Sequence, residues 1–143
     1  MATSLVDLIF ERFAKKIYID VDPRFFTFYY NNSMLQLTTC VHVSEAGDRP
    51  KIVAVGETSN FPNTIKLNLF SEPEVKSSTI STIDLMAALF RYAIIKLIKK
   101  RHMIRPIIYF RHIHKLDALC HGNQENILRA AAIEAGAMLI FFE

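Results

Sequence analysis

The chain has 143 residues, of which 51% are hydrophobic and 22% charged, and a formal net charge of +3. That length and balance describe one globular domain, residues 1–143, with a real core, and they exclude a disordered or fibrous chain. The charge alone marks neither a nucleic-acid nor a membrane protein. Met1–Asp7 does not read as a secretory leader, and no apolar run reaches membrane-spanning length.

Residues 3–15 read as a short amphipathic helix. Leu5, Leu8, Ile9 and Phe13 recur at helical spacing, and Ser4 can cap it. Strands follow at 17–21, 25–30 and 34–43, rich in Phe, Tyr, Ile, Val and Thr. Asp22-Pro23 and Asn31-Asn32 supply the turns between them. Lys51–Val55 is a further strand, closed by Gly56. The stretch 57–80 is the most polar and least periodic, with one alternating edge strand at 65–70.

A long helix starts at Ser81, where Ser81-Thr-Ile-Asp84 resembles a capping box. Met86, Leu89, Phe90, Ala93, Ile94, Leu97 and Ile98 form its buried stripe. Lys99-Lys100-Arg101-His102 places cations at the negative end of its dipole. Pro106 opens a strand at 107–110. A second helix runs from Asn123, as N-cap, to Ala135, with Gly136 beyond its end, and the last strand is Met138–Phe142. The alternating second half predicts parallel strands with helices on the sheet: an α/β fold with a mixed sheet of about five strands. Cys40 and Cys120 lie far apart in apolar stretches. They read as free buried thiols in a reducing, cytoplasmic setting.

Several constellations carry candidate chemistry. Asp20 and Asp22 fall on one strand face and can pair on a cation, but Asp22-Pro23 is also ordinary turn chemistry. His112, His114, Cys120 and His121 include zinc-binding residue types, but without a familiar zinc spacing they read as surface histidines beside a buried cysteine. Residues 91–115 hold eight Lys or Arg and no acid. Lys96, Lys99, Lys100, Arg101 and Arg105 are therefore candidates for an anion site, for nucleic acid or acidic lipid. The same cations also suit a solvated helix end. The apolar face of residues 3–15, with Leu5, Ile9 and Phe13, is a candidate interface or membrane-surface contact. No nucleophile–base pair, P-loop or H-E-x-x-H motif is present.

The segment Ile17–Tyr30 is an apolar strand, an Asp, a tight turn and a second apolar strand. It resembles the phosphate-binding hairpin of the actin-like ATPases, and the chain as a whole resembles the N-terminal half of MreB, the bacterial member of that family. Ile19-Asp20-Val21 stands at the first phosphate-loop Asp. Lys51-Ile-Val-Ala-Val-Gly56 looks like the family's K-x-V-A-V-G strand and turn. Ile80–Asp84, Arg105-Pro106, and Glu125 through Arg129, Ile133, Gly136 and Ala137 follow in family order. The resemblance implies an RNase H-like first-domain fold, with the smaller subdomain reduced to 57–80.

It also implies a lost activity. The family builds its turn on Gly and a hydroxyl residue, whereas Asp22 and Pro23 stand here. Proline has no N–H to offer a phosphate, and a carboxylate opposes one. The resemblance further implies a nucleotide cleft shared with a second half that lies outside these residues. The expectation is a non-catalytic, MreB-like interaction or regulatory protein with no cofactor or metal. Its partner would be a second copy or an MreB-type filament subunit, in the cytoplasm or at the inner membrane surface.

Overall fold

The computed structural model describes residues 15–44, 51–56, 62–70, 81–99 and 105–143. Three strands form first in the chain: β1 (Lys16–Asp20), β2 (Phe25–Tyr30) and β3 (Ser33–Thr38). They pair antiparallel as a meander. Asn31 turns the second hairpin at φ 51°, a left-handed conformation that Asn tolerates better than most residues.

Beyond Thr38 the chain changes sheets. The sequence suggested one strand over 34–43. Instead the chain bends at Thr39, whose Oγ1 donates to the Pro23 carbonyl at 2.7 Å and whose N–H donates to the Arg24 carbonyl at 3.0 Å. These bonds spend Thr39 on the β1–β2 turn and release the next residues into a separate sheet. That sheet contains β4 (Cys40–Ser44), β5 (Lys51–Val55) and β6 (Ile65–Asn68), in the order β5-β4-β6. Of the 57–80 stretch read as a reduced subdomain, β6 is described, while 57–61 and 71–80 lie outside the described residues. β6 is the edge strand expected at 65–70, in a shorter form. It stops at Asn68 and pairs along β4.

Gly56 ends β5 at φ 69°, with its N–H on the Cys40 carbonyl at 2.9 Å. A Cβ there would meet Leu37 Cδ2 at 2.8 Å. Only glycine allows β5 to finish this close to β3.

Helix α1 (Thr82–Ile98) starts as its sequence predicts. Ser81 Oγ accepts the Asp84 N–H at 3.1 Å, which satisfies one of the orphan donors of the first turn. It ends at Lys99, in the left-handed region, whose N–H returns to Ile95. β7 (Ile107–Arg111) then runs parallel to β1, and β8 (Leu139–Phe142) parallel to β7. The main sheet is five-stranded, in the order β3-β2-β1-β7-β8, mixed as expected.

Between β7 and β8 the sequence reading missed a one-turn 3₁₀ helix (Ile113–Leu116) and the short α2 (Asp117–Cys120). His112 sits at φ 62°, so the strand stops at Arg111. His112 and His114 therefore do not share a strand face.

α3 (Gln124–Glu134) also departs from expectation at its start. Asn123 makes no side-chain bond to the helix backbone. Its Oδ1 accepts from Asn126 Nδ2 at 2.7 Å instead. The C-terminus does follow the sequence. Gly136 adopts φ 106°, its N–H bonds Ile133, and the Ala137 N–H bonds Ala132. This pairing is a Schellman motif, which glycine at that position favours.

The core lies between the main sheet and the helices. Ile17, Ile19, Phe26, Phe28, Ile108 and Phe110 project from the strands, and Leu85, Met86, Leu89, Phe90 and Ala93 from α1. Leu128, Ala131 and Ala132 of α3 join them. Phe90 lies at the centre, with ring centroids 5.6 Å from Phe26, 6.1 Å from Phe28 and 5.6 Å from Phe110. Cys40 and Cys120 are both buried, as their surroundings suggest. Burial pushes the Cys120 thiol up from its ordinary value, with Asp117 adding to the effect, which favours the protonated form.

Candidate functional site: the turn between β1 and β2

Parallel pairing brings the C-terminal ends of β1, β7 and β8 to one edge of the sheet. Open α/β sheets bind ligands at such an edge. Asp20 ends β1, Arg111 ends β7 directly across from it, and Asp22-Pro23-Arg24 turns into β2.

A phosphate turn works by aiming backbone N–H groups at the ligand. Here three of the four positions from Val21 to Arg24 spend or lack theirs. The Val21 N–H donates to the Arg111 carbonyl at 3.0 Å. Pro23 has none. The Arg24 N–H donates to Asp22 Oδ1 at 2.9 Å. Asp22 thus folds the turn onto itself, as short polar side chains do. The Arg24 N–H lowers the Asp22 carboxyl below the usual aspartate range, and the Arg24 and Lys115 charges push the same way, against the opposing effect of burial. Lys115 Nζ stands 3.8 Å from Asp22 Oδ2.

The Asp20 carboxylate is also engaged, by Arg111 Nε at 2.5 Å. The Arg111 guanidinium sits over two rings, 5.2 Å from Tyr18 and 5.3 Å from Tyr29. One cation is thus held by a charge-assisted bond and two aromatic faces. Neither aspartate is presented as a free ligand. Among the described residues no three His, Cys, Asp or Glu side chains gather where they could hold a metal ion. His112 and His114 lie edge to face, with ring centroids 6.2 Å apart.

The fold divides the basic stretch 91–115. Arg111 and Lys115 serve the two aspartates at the C-terminal edge. Arg91 donates to the Glu134 carbonyl at 3.0 Å and caps the end of α3. Lys96 lies over the Tyr92 ring at 5.6 Å. Lys96, Lys99 and Arg105 are exposed; Lys99 ends α1 and Arg105 precedes β7, so these two belong to the opposite edge of the sheet. Lys100 and Arg101, like Leu5, Ile9 and Phe13, lie outside the described residues.

The sequence reading found Asp20, Asp22 and Pro23 but not their partners. Arg111 and Lys115 were visible only as members of a basic run. Their pairing depends on the parallel register of β1 on β7, which places Asp20 beside a residue 91 positions away.

No protein-family model matches the sequence, and no curated protein matches it. Solved structures do match the fold. MreB5 of Spiroplasma citri bound to ADP superposes with a TM-score of 0.59 at 12% identity, over 92% of this chain and 38% of that one. The same protein bound to AMPPNP gives 0.58 at 11% identity over the same shares. This chain therefore spans well under half the length of those MreB5 chains, and at such identities the likeness concerns the fold. The mixed five-stranded sheet with its flanking helices is the first-domain fold of the actin-like ATPases.

Proposed function

We propose that the chain is a non-catalytic, MreB-like protein that acts on an actin-like filament system of a bacterial cell as a partner, cap or regulator. The observation that carries this reading is the self-satisfied turn. Asp22 takes the Arg24 N–H, Pro23 offers none, and Arg111 and Lys115 neutralise the aspartates where a phosphate would need free donors. The fold supports the cytoskeletal half of the reading, because actin-like domains are the structures it resembles. Interaction, rather than turnover, is then the use of the fold, with no cofactor required. The setting is the cytoplasm or the inner membrane surface, and the partner is a filament subunit or a second copy.

The alternative, an anion-binding module, needs the basic stretch to act as one surface. Its cations are shared between two edges of the sheet, and three of them are engaged within the chain.

Co-sedimentation with polymerised MreB from the same cell tests the proposal. The expected result is recovery of the chain in the filament pellet, or a shift in the MreB concentration needed to polymerise. Filaments that pellet without it and assemble at an unchanged concentration would overturn the reading.

A further inference from the structure

A groove of about 480 Å³ runs along the outer side of β5. One wall is Ile52, Val53, Ala54 and Val55, four residues in a row. A strand turns alternate side chains to opposite faces, so a wall of consecutive residues is the strand's edge. The other wall is one face of α1, through Ala88, Arg91, Tyr92 and Ile95. The base is fixed: Val55 belongs to the core cluster, and Ala88 and Tyr92 pack against it.

β5 is the last strand of its sheet, with β4 on one side and no described strand on the other. Its backbone says what that open side can take. In an antiparallel ladder, successive residues bond alternately to the strand on either side. The Leu69 N–H bonds the Thr39 carbonyl, which sets Val41 and Val43 bonding toward β6. The Gly56 N–H on the Cys40 carbonyl agrees with that phase. Val55 and Ile52 stand opposite Val41 and Val43, so both turn their N–H and C=O away from β4. One extra residue, Val53, bulges between them without a partner on β4.

The side chains here are apolar and open. After Lys51, β5 reads Ile-Val-Ala-Val. Ile52 and Val53 are 39% and 52% exposed, and Ile95 across the groove is 66% exposed. Edge strands are commonly blunted by charge or covered. The charges here stand at the rim and share one sign. Arg91 lines the groove, Lys96 lies over the Tyr92 ring, and Lys51 heads the strand. Among the described residues no acid lines the groove, and no carboxylate pairs with Lys51 or Lys96.

We propose that this groove binds an extended segment of a partner protein, which adds a strand to β5. The segment carries apolar side chains at alternate positions and Asp or Glu at its flanks. Main-chain bonds at Ile52 and Val55 give the affinity, and the apolar wall of α1 reads the side chains. A helix fits less well, because it bonds its own backbone and would bury the outward groups of β5 without partners. A second copy of β5 fits less well too, because it would bring the same three cations to the same rim. The surface is separate from the β1–β2 turn, so the inference holds whether or not the partner belongs to a filament.

The test selects a phage-displayed library of random peptides on the intact chain, with counter-selection on Ile95→Glu. Ile95 is exposed, so that variant should fold, and its charge repels an acidic peptide. The expected winners alternate apolar residues between acidic flanks. The synthesised winner should slow amide hydrogen exchange at Ile52 and Val55, and Ile95→Glu should weaken it at least about tenfold. Ile52→Pro, which removes one outward N–H at an edge where proline is tolerated, should weaken it similarly. Failure to enrich any peptide would overturn the proposal. So would winners with basic flanks or helical apolar spacing, or winners that leave exchange at Ile52 and Val55 unchanged. Protection of those amides by self-association alone would make the occupant a second copy and overturn it as well.

Discussion

Phe90→Ala probes the layer that holds α1 to the sheet. The Phe90 side chain has 0% exposure and three aromatic neighbours within 6.1 Å, one on each of β2's two inward positions and one on β7. Truncating a buried Phe to Ala costs about 3–5 kcal/mol. Each lost aromatic pair accounts for about 0.5–1.5 kcal/mol within such totals. Three pairs around one ring place this site toward the upper end, about 4–5 kcal/mol. A domain's whole stability is about 5–15 kcal/mol, so the variant should be close to unfolded at room temperature. Urea denaturation followed by circular dichroism measures the change, and Ile95→Ala is the control. Ile95 lies on the same helix but is 66% exposed, and its substitution should fall within about 0.5 kcal/mol of wild type. A loss below about 1 kcal/mol for Phe90→Ala, with unchanged denaturant slope, would refute the packing of α1 on β2 and β7.

Two further outcomes follow from the charges. Burial raises the Glu134 carboxyl, helped by its hydrogen bond and repulsion with Asp84, while the bonds from Glu134 and Ser81 lower Asp84. A raised folded value contributes stability below the unfolded glutamate range near 4.5 and loses it as pH rises through the folded value. Glu134→Gln keeps a donor for Asp84 without the charge, so its melting temperature should exceed wild type at pH 7 and converge with it near pH 4; equal melting at both would contradict the raised Glu134 carboxyl. On heparin the chain should elute at low salt, and Lys99, Lys100 and Arg101 changed together to Glu should barely move the peak. Firm, steeply salt-dependent retention lost in that variant would mean that the cations act as one anion site.

Local chemistry made much of this fold legible. Runs of β-branched, aliphatic and aromatic residues, bounded by turn or breaker residues, marked β1, β2, β7 and β8. The Ser81–Asp84 start and the Gly136 stop bounded the helices, because capping and left-handed turns depend on a few neighbouring residues. The break at Thr39 was not legible. It rests on bonds to Pro23 and Arg24, sixteen and fifteen residues upstream, which no local pattern reports. The 3₁₀ turn after Arg111 was hidden for a related reason: His112 takes a left-handed conformation that its residue type does not announce. At the candidate site, Asp22 and Pro23 stood out in the sequence by themselves. That Arg111 and Lys115 complete the neutralisation required knowledge of which strands meet.

The most direct measurement of the central claim is a Mg-ATP titration read at the turn itself, by the backbone amide signals of Val21, Asp22 and Arg24. With the Val21 and Arg24 donors engaged by Arg111 and Asp22, the signals should stay in place up to about 1 mM nucleotide, where even a contact energy of about −4 kcal/mol would register. Saturable shifts at these residues with a micromolar dissociation constant, equivalent to about −8 kcal/mol, would show that the turn still binds phosphate and would contradict the account.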